Sequence, residues 1–369
     1  MTGGVHQTLG IGRLDVSAYT IPTDAPESDG TIAWDSTTIV IVEASAGGVC
    51  GLGYSYTHEA AAVLIARTLA HVVCGRDAMD VPAAWDAMVR AVRNIGRPGL
   101  ASSAIAAVDV ALWDLKARLL DVPLVVLLGP VRERIQVYGS GGFTSYSIAR
   151  LQEQLGGWVR DGIRSVKMKV GTDPAQDVQR VRAAREAIGP DAALFVDANG
   201  AYTRKQALAF AAAFAEADVR WFEEPVSADD LDGLRLLRDR SPAGMDIAAG
   251  EYGYELSYFR RMLDAGAVDV LQADATRCEG ITGFLRAAAL CEARSLPFSA
   301  HTAPSLHAHP CCAVTPARNV EYFHDHVRIE HLVFEGALTA EEGALRPDLS
   351  RPGHGLEIRR GEVERYRVL

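Results

Sequence analysis

Residues 165–170 of this 369-residue chain read Ser-Val-Lys-Met-Lys-Val. In a β-strand, residues i and i+2 share a face, so Lys167 and Lys169 point the same way. Two neighbouring cations repel. Either they face water on an edge strand, or the strand aims them into a polar site. Further along, short apolar runs repeatedly end in an ionisable residue: Asp197 closes AALFVD, Glu223 closes VRWFE, Glu251 closes DIAAGE, Asp274 closes VDVLQAD, His301 closes LPFSAH, and Glu321 lies within NVEYF. A lone Asp after a strand is as readily a turn former or helix cap. The whole series is harder to explain that way, because each residue would point toward one shared mouth.

Asp197, Glu223 and Glu251 come from neighbouring runs. Three carboxylates converging at low dielectric repel unless a cation neutralises them. All-oxygen ligands suit Mg²⁺, and the Cys/His set preferred by zinc is not nearby. The lysines stand on one side of this cluster. On the other stands His301, with Asp274 one run earlier to fix its tautomer and support its charged form. A metal flanked by two bases suits removal of a proton next to a carboxylate, with the metal stabilising the enediolate. Mutual repulsion and partial burial are expected to lower the lysine pKa, as a base at neutral pH requires.

The elements that position these residues begin at Gly129-Pro130. From there IQVYG (135–139), IRSVKMKV (163–170) and the runs above alternate with Ala/Arg/Leu-rich helical stretches. Eight strands at intervals of roughly 20–30 residues fit a parallel β/α barrel. An open doubly wound sheet is the rival, but GSGGF (139–143) does not match its phosphate-binding turn. Before this lies an α+β unit. It has β-rich stretches in IGRLDVSAYTIPT and STTIVIVEAS, separated by polar DAPESDG. Helical patterns follow at 58–74, 82–94 and 102–120, with Ser102 or Ser103 as N-cap of the last. We place domain boundaries at 1–129 (α+β cap), 130–350 (barrel) and 351–369 (a charged tail packing back on the cap).

Composition agrees with a globular protein with a substantial core: 49% apolar and 23% charged residues. A net charge of -10 argues against nucleic acid as the main partner. No apolar run approaches bilayer length, and MTGGVHQTLGIG lacks the features of a secretory signal. The scattered cysteines form no C-x-x-C pair and are expected to be reduced core or site-lining thiols of a cytoplasmic protein.

The motifs VKMK (166–169), VDANG (196–200), WFEEP (221–225), AGE (249–251), LQAD (271–274), SAH (299–301) and VEYF (320–323) together resemble the enolase superfamily, specifically its mandelate racemase subgroup, across essentially the whole chain. The resemblance implies a modified (β/α)7β TIM-type barrel with an α+β capping domain. It implies one Mg²⁺ on Asp197, Glu223 and Glu251, with Asn199 and Glu224 supporting them from behind. It makes Lys169 the base on one substrate face, Lys167 its neighbour contacting the substrate carboxylate, and His301 with Asp274 the acid/base pair on the other. Glu321 takes the position that hydrogen-bonds the enediolate. The subgroup assignment rests on Asp274, where the muconate-lactonising branch carries lysine. One departure is Glu279-Gly280-Ile281-Thr282, where the family often has a second glycine.

The resemblance further implies a small-molecule carboxylate substrate and a homo-oligomer, either dimer or octamer. The leading activity is dehydration of a sugar acid to a 2-keto-3-deoxy acid. The alternative is racemisation or epimerisation of an α-substituted carboxylate, whether a hydroxy, amino or imino acid. A non-catalytic ligand-binding relative is a third reading, which the retention of every polar strand-end residue disfavours. Cap segments 17–34 and 50–58 would lie over the mouth, so Tyr19, Tyr54, Tyr56 and His58 are candidate polyol contacts or simple packing. Ser140 and Thr144 are candidate substrate contacts or turn residues. Arg277 either balances the site's charge or caps a helix. The pairs His307/His309 and His324/His326 have metal-ligand spacing but read equally as ordinary histidines.

Overall fold

The computed structural model describes residues 9–369; most of the N-terminal stretch read for a signal therefore lies outside the described residues. An antiparallel sheet comes first, in the order β1 (Arg13–Ser28), β2 (Ala33–Ala46), β3 (Val49–Tyr56). β1 runs through most of the polar stretch expected to be a loop. It does so by breaking register between Pro22 and Glu27 before pairing resumes at Glu27 and Trp34. The expected helix at 58–74 is broken into Ala60–Leu64, a wider π turn at Ile65–Leu69, and Ala70–Val73.

The helix Leu100–Leu119 begins earlier than its serines suggested. Ser102 and Ser103 do not cap it: both are buried inside its first turn, and the Ser102 hydroxyl donates to the Arg97 carbonyl at 2.6 Å. This helix is buried on nearly every side, which suits its alanine-rich sequence, since a helix apolar all round belongs in a core. β3 packs on it with no room for side chains. A Cβ on Gly53 would lie 2.2 Å from the Ala107 carbonyl oxygen, and one on Gly51 would lie 2.3 Å from the Leu115 nitrogen.

Eight parallel strands then form the barrel: β4 (Ile135–Gly141), β5 (Ser165–Lys169), β6 (Ala193–Asp197), β7 (Val219–Glu223), β8 (Asp246–Ala249), β9 (Val270–Ala273), β10 (Phe298–Ala300) and β11 (Ala317–Phe323). Each pairs with its sequence neighbour, and β11 pairs with β4 to close the cylinder. Seven β/α units and a final strand make the expected (β/α)7β pattern, and the doubly wound alternative falls away with closure. A short strand, Ala344–Leu345, adds antiparallel to the outside of β4.

Buried polar contacts tie the cap to the barrel. Tyr54 donates to Glu330 Oε1 at 2.6 Å. Asp109 of the long helix accepts from the Thr282 amide at 2.9 Å and its hydroxyl at 2.7 Å. The departing residue Glu279 sits in a left-handed conformation and ion-pairs with Arg97 of the cap, which gives that substitution a local purpose. At the far end, Val368 donates its amide to the Ala18 carbonyl at 2.9 Å, and His354 donates to the Leu52 carbonyl at 2.7 Å.

Two outcomes follow from these contacts. Gly53→Ala should lower the midpoint of urea unfolding by an amount equivalent to about 3 kcal/mol, because overpacking here meets backbone rather than movable side chains. Glu330 is pushed up to about 7 by burial, which outweighs the hydrogen bonds from Tyr54 and Ser305. The folded state therefore keeps a proton that the unfolded chain releases near 4.5, and stability should fall as pH rises across that window and level off above it. Asp109, also pushed to about 7 by burial, adds to the slope. Glu330→Gln should shrink the stability difference between pH 5 and pH 8, measured by urea unfolding at each.

Candidate active site

Strand register sets the site. Lys169 lies beside Asp197, and Asp197 beside Glu223, at the same level of three adjacent strands. Glu251 follows β8 by one residue, Gly250, whose φ of +138° and whose approach to the Gln272 carbonyl exclude a side chain. That turn swings Glu251 into the mouth. The result gathers one carboxylate oxygen each from Asp197, Glu223 and Glu251 within 4.8 Å of one another.

Around these oxygens the partners are specific. Lys169 Nζ donates to Asp197 Oδ2 at 2.6 Å and to Asn199 Oδ1 at 3.0 Å. Lys167 Nζ lies 2.6 Å from Glu223 Oε1, 2.8 Å from Glu321 Oε1 and 3.4 Å from Asp197 Oδ2. The second oxygens are held from behind: the Asn199 amide donates to Asp197 Oδ1, and Trp221 Nε1 donates to Glu223 Oε2, both at 2.9 Å. Glu251 is different. Its Oε2 is buried without a hydrogen bond, and Arg277 donates to its backbone carbonyl at 3.1 Å and reaches its Oε1 at 3.5 Å.

Six carboxylates crowd the mouth: Asp197, Glu223, Glu224, Glu251, Asp274 and Glu321 are all buried here, beside Lys167, Lys169, Arg277 and the imidazole of His301. Burial, reinforced by neighbouring carboxylates, pushes Glu223 and Glu224 well above the usual carboxyl range. A Glu251 oxygen without a hydrogen bond, a three-carboxylate cluster and the crowding that pushes Glu223 up fit a hard divalent cation such as Mg²⁺.

The lysines depart from the expectation of a lowered pKa. Burial alone would lower both, but Glu223 and Glu321 around Lys167, and Asp197 beside Lys169, outweigh it and raise them. The repulsion between them is offset by the protein's own carboxylates. Lys167 is fully buried beneath the floor, whereas Lys169 reaches the cleft.

His301 Nδ1 sits 2.8 Å from Asp274 Oδ2, and its Nε2 faces Glu251 Oε2 at 3.3 Å and Glu321 Oε2 at 3.7 Å. Burial would raise Asp274, but its bond to His301 and the charges of His301, His307 and Arg277 hold it well below the usual carboxylate range. Glu321 accepts on both oxygens: from Ser140 Oγ at 2.6 Å and Lys167 on one, and from the Thr302 amide at 3.2 Å on the other. Asn199, Glu224, Thr302 and Ala303 all have left-handed backbones. Such strain collects at functional sites, and here it flanks Asp197, Glu223 and His301.

Above this floor opens a cleft of about 400 Å³, bounded by Lys169, Glu251, His301 and Arg277 from the barrel and by the cap. Its cap wall is largely polar, with Ser36, Thr37, Thr38, Thr57 and His58, beside the apolar Ile32 and Trp34. Tyr56 also lines it, stacked on His326 at 3.5 Å.

Other candidates lie elsewhere. Tyr54 and Tyr19 are buried outside the cleft lining. Thr144 instead binds Ser28 Oγ and the Asp29 carbonyl, joining β1 to the barrel. Ser140 meets the site only through Glu321. His307 is held between the Thr302 carbonyl and the Ala275 amide, and among the described residues neither His307 nor His309 joins a group of three metal-ligating side chains. Of the six cysteines, Cys50 and Cys74 are exposed, none is paired, and none lines the cleft. Sequence reasoning passed over Trp221 and Thr302. Trp221 was detectable, standing two residues before Glu223 and so on the same strand face.

Residues 19–129 match the mandelate racemase/muconate lactonizing enzyme N-terminal domain, and residues 150–362 match the enolase C-terminal domain-like family. The chain belongs to this family. A mandelate racemase/muconate lactonizing enzyme-like protein from Rubrobacter xylanophilus shares 56% identity with a TM-score of 0.95, covering 97% of this chain and 100% of that one. The 3,6-anhydro-alpha-L-galactonate cycloisomerase of Streptomyces coelicolor is 35% identical across 94% of this chain and 96% of its own. The L-talarate/galactarate dehydratase of Salmonella typhimurium is 31% identical across 84% of this chain and 80% of its own. Its crystal structure, liganded with Mg and L-lyxarohydroxamate, gives a TM-score of 0.90 over 100% of this chain and 95% of that one. Among the described residues, no helix is long and apolar enough to cross a membrane.

Proposed function

We propose that the protein dehydrates a sugar acid by removing the proton α to its carboxylate. One observation carries this reading. Lys169, from the second barrel strand, and His301, after the seventh, line the same cleft on either side of the Asp197–Glu223–Glu251 cluster. Those carboxylates would hold Mg²⁺, which supplies positive charge beside the substrate carboxylate and so makes the neighbouring C–H more acidic.

The chain's own groups do the rest. One of Lys169 and His301 takes the α-proton. The other gives a proton to the β-hydroxyl as its C–O bond breaks, so that water leaves. The resulting enol takes a proton at the β-carbon and becomes a 2-keto-3-deoxy acid. Lys169 must be uncharged to act as base, and its contact with Asp197 opposes that, so neutralising Asp197 favours the basic form. Asp274 fixes the His301 tautomer through Nδ1, leaving Nε2 toward the cleft. The hydroxyl-rich cap wall suits a polyhydroxylated chain, and the dehydratase relative supports the reaction class. Following the family, we also expect a cytoplasmic homo-oligomer.

Isomerisation is the second reading, favoured by the similarity to a cycloisomerase. The same two groups would return a proton, or close a ring, without net loss of water.

The test is incubation with Mg²⁺ and a panel of aldonic and aldaric acids, with 2-keto acid scored by semicarbazide. Product from at least one member is expected, and none from any would overturn dehydration. Solvent deuterium at the α-carbon without water loss would mark isomerisation. With a substrate found, Lys169→Ala and His301→Ala should each slow turnover by about 10²- to 10⁴-fold. Asp197→Asn should weaken Mg²⁺ binding at least about tenfold by calorimetry, since it removes one of three anionic ligands.

A further inference from the structure

The pair His324/His326 does not act as a unit: His326 stacks on Tyr56, while His324 turns toward the cap. There its Nε2 lies 3.0 Å from Asp24 Oδ2. The break in β1 after Pro22 brings Asp24 and Glu27 to this spot, so that Asp24, Glu27 and His324 each place a ligand atom within 4.8 Å of the others. A second observation points to a ligand. Glu27 is 1% exposed, and its Oε1 is buried with no hydrogen-bond partner, while its Oε2 accepts from Trp34 Nε1 at 2.8 Å. Among the described residues Glu27 forms no ion pair, whereas nearby Asp325 is satisfied by Thr37 and Arg328, and Asp24 has Arg150 at 3.8 Å.

We propose that Asp24, Glu27 and His324 form a second divalent-cation site, separate from the Asp197–Glu223–Glu251 cluster, joining the bulge of β1 to the helix His324–Val333. One imidazole nitrogen with two carboxylates suits a transition ion such as Zn²⁺ better than Mg²⁺, which favours all-oxygen shells. Asp24 and His324 are 39% and 24% exposed, which leaves the ion a route from solvent to the buried Glu27. Burial first, and then the charge of Asp325, push Glu27 up to about 8; a bound cation would relieve that cost. The ion would also brace the cleft wall, because Trp34 both donates to Glu27 and lines the cleft.

The test uses the full-length, tag-free protein in saturating MgCl₂, titrated with ZnCl₂ by calorimetry. One Zn²⁺ equivalent that Mg²⁺ does not displace is expected. It should weaken at least about tenfold in both His324→Asn and Glu27→Gln, because each removes one of three protein ligands. Zinc binding undiminished in both variants would overturn the site and assign the metal elsewhere, the exposed Cys50 and Cys74 included. Should either variant fold poorly, anomalous scattering at the zinc edge from wild-type crystals decides. A peak about 2.0–2.2 Å from His324 Nε2 and the two carboxylates supports the site, and no peak there refutes it.

Discussion

The barrel mouth is organised by the crowding of buried carboxylates. Six meet there, among Lys167, Lys169, Arg277 and His301. An uncompensated buried carboxylate is costly, and Asp197, Glu223, Asp274 and Glu321 all find partners within the protein. Lys167 is spent on this task below the floor, bridging Glu223, Glu321 and Asp197. Lys169 does the same for Asp197 while keeping contact with the cleft. Glu224 Oε1 and Glu251 Oε2 are left without a hydrogen bond, the latter facing His301 Nε2 at 3.3 Å beside the carboxylate cluster.

The same crowding explains why Lys167 and Lys169 can stand side by side. Their mutual repulsion is real but small beside the attraction of the carboxylates that surround them. The pair is divided by position, Lys167 fully buried among carboxylates and Lys169 lining the cleft. Left-handed backbones at Asn199, Glu224, Thr302 and Ala303 show that the surrounding fold over-determines this arrangement.

Cap and barrel are joined by groups buried along their seam, not by apolar packing alone. Tyr54 with Glu330, Asp109 with Thr282, and Arg97 with Glu279 each pair a cap residue with a barrel residue. Because the cleft is walled by both units, these pairs set the distance between the polar cap wall and the catalytic floor. Close packing of β3 on the helix Leu100–Leu119 fixes the cap itself.

Alternating apolar runs and polar strand ends led, from sequence, to the expectation of a barrel and of polar residues gathered at its mouth, and the structure brings Asp197, Glu223 and Glu251 together and sets Lys169 and His301 on one cleft. Strand periodicity determines which residues share a face, and strand order determines which ends are neighbours. Register and burial were not legible. Only the tertiary structure decided that Lys167 lies under the floor, that Tyr54 turns to Glu330, that Thr144 serves β1, and that Ser102 sits within a helix. The direction of the lysine pKa shift also reversed, because it depends on distances to carboxylates from other strands. Local sequence constrains the backbone's period; the electrostatic state of a buried group is a property of everything packed around it.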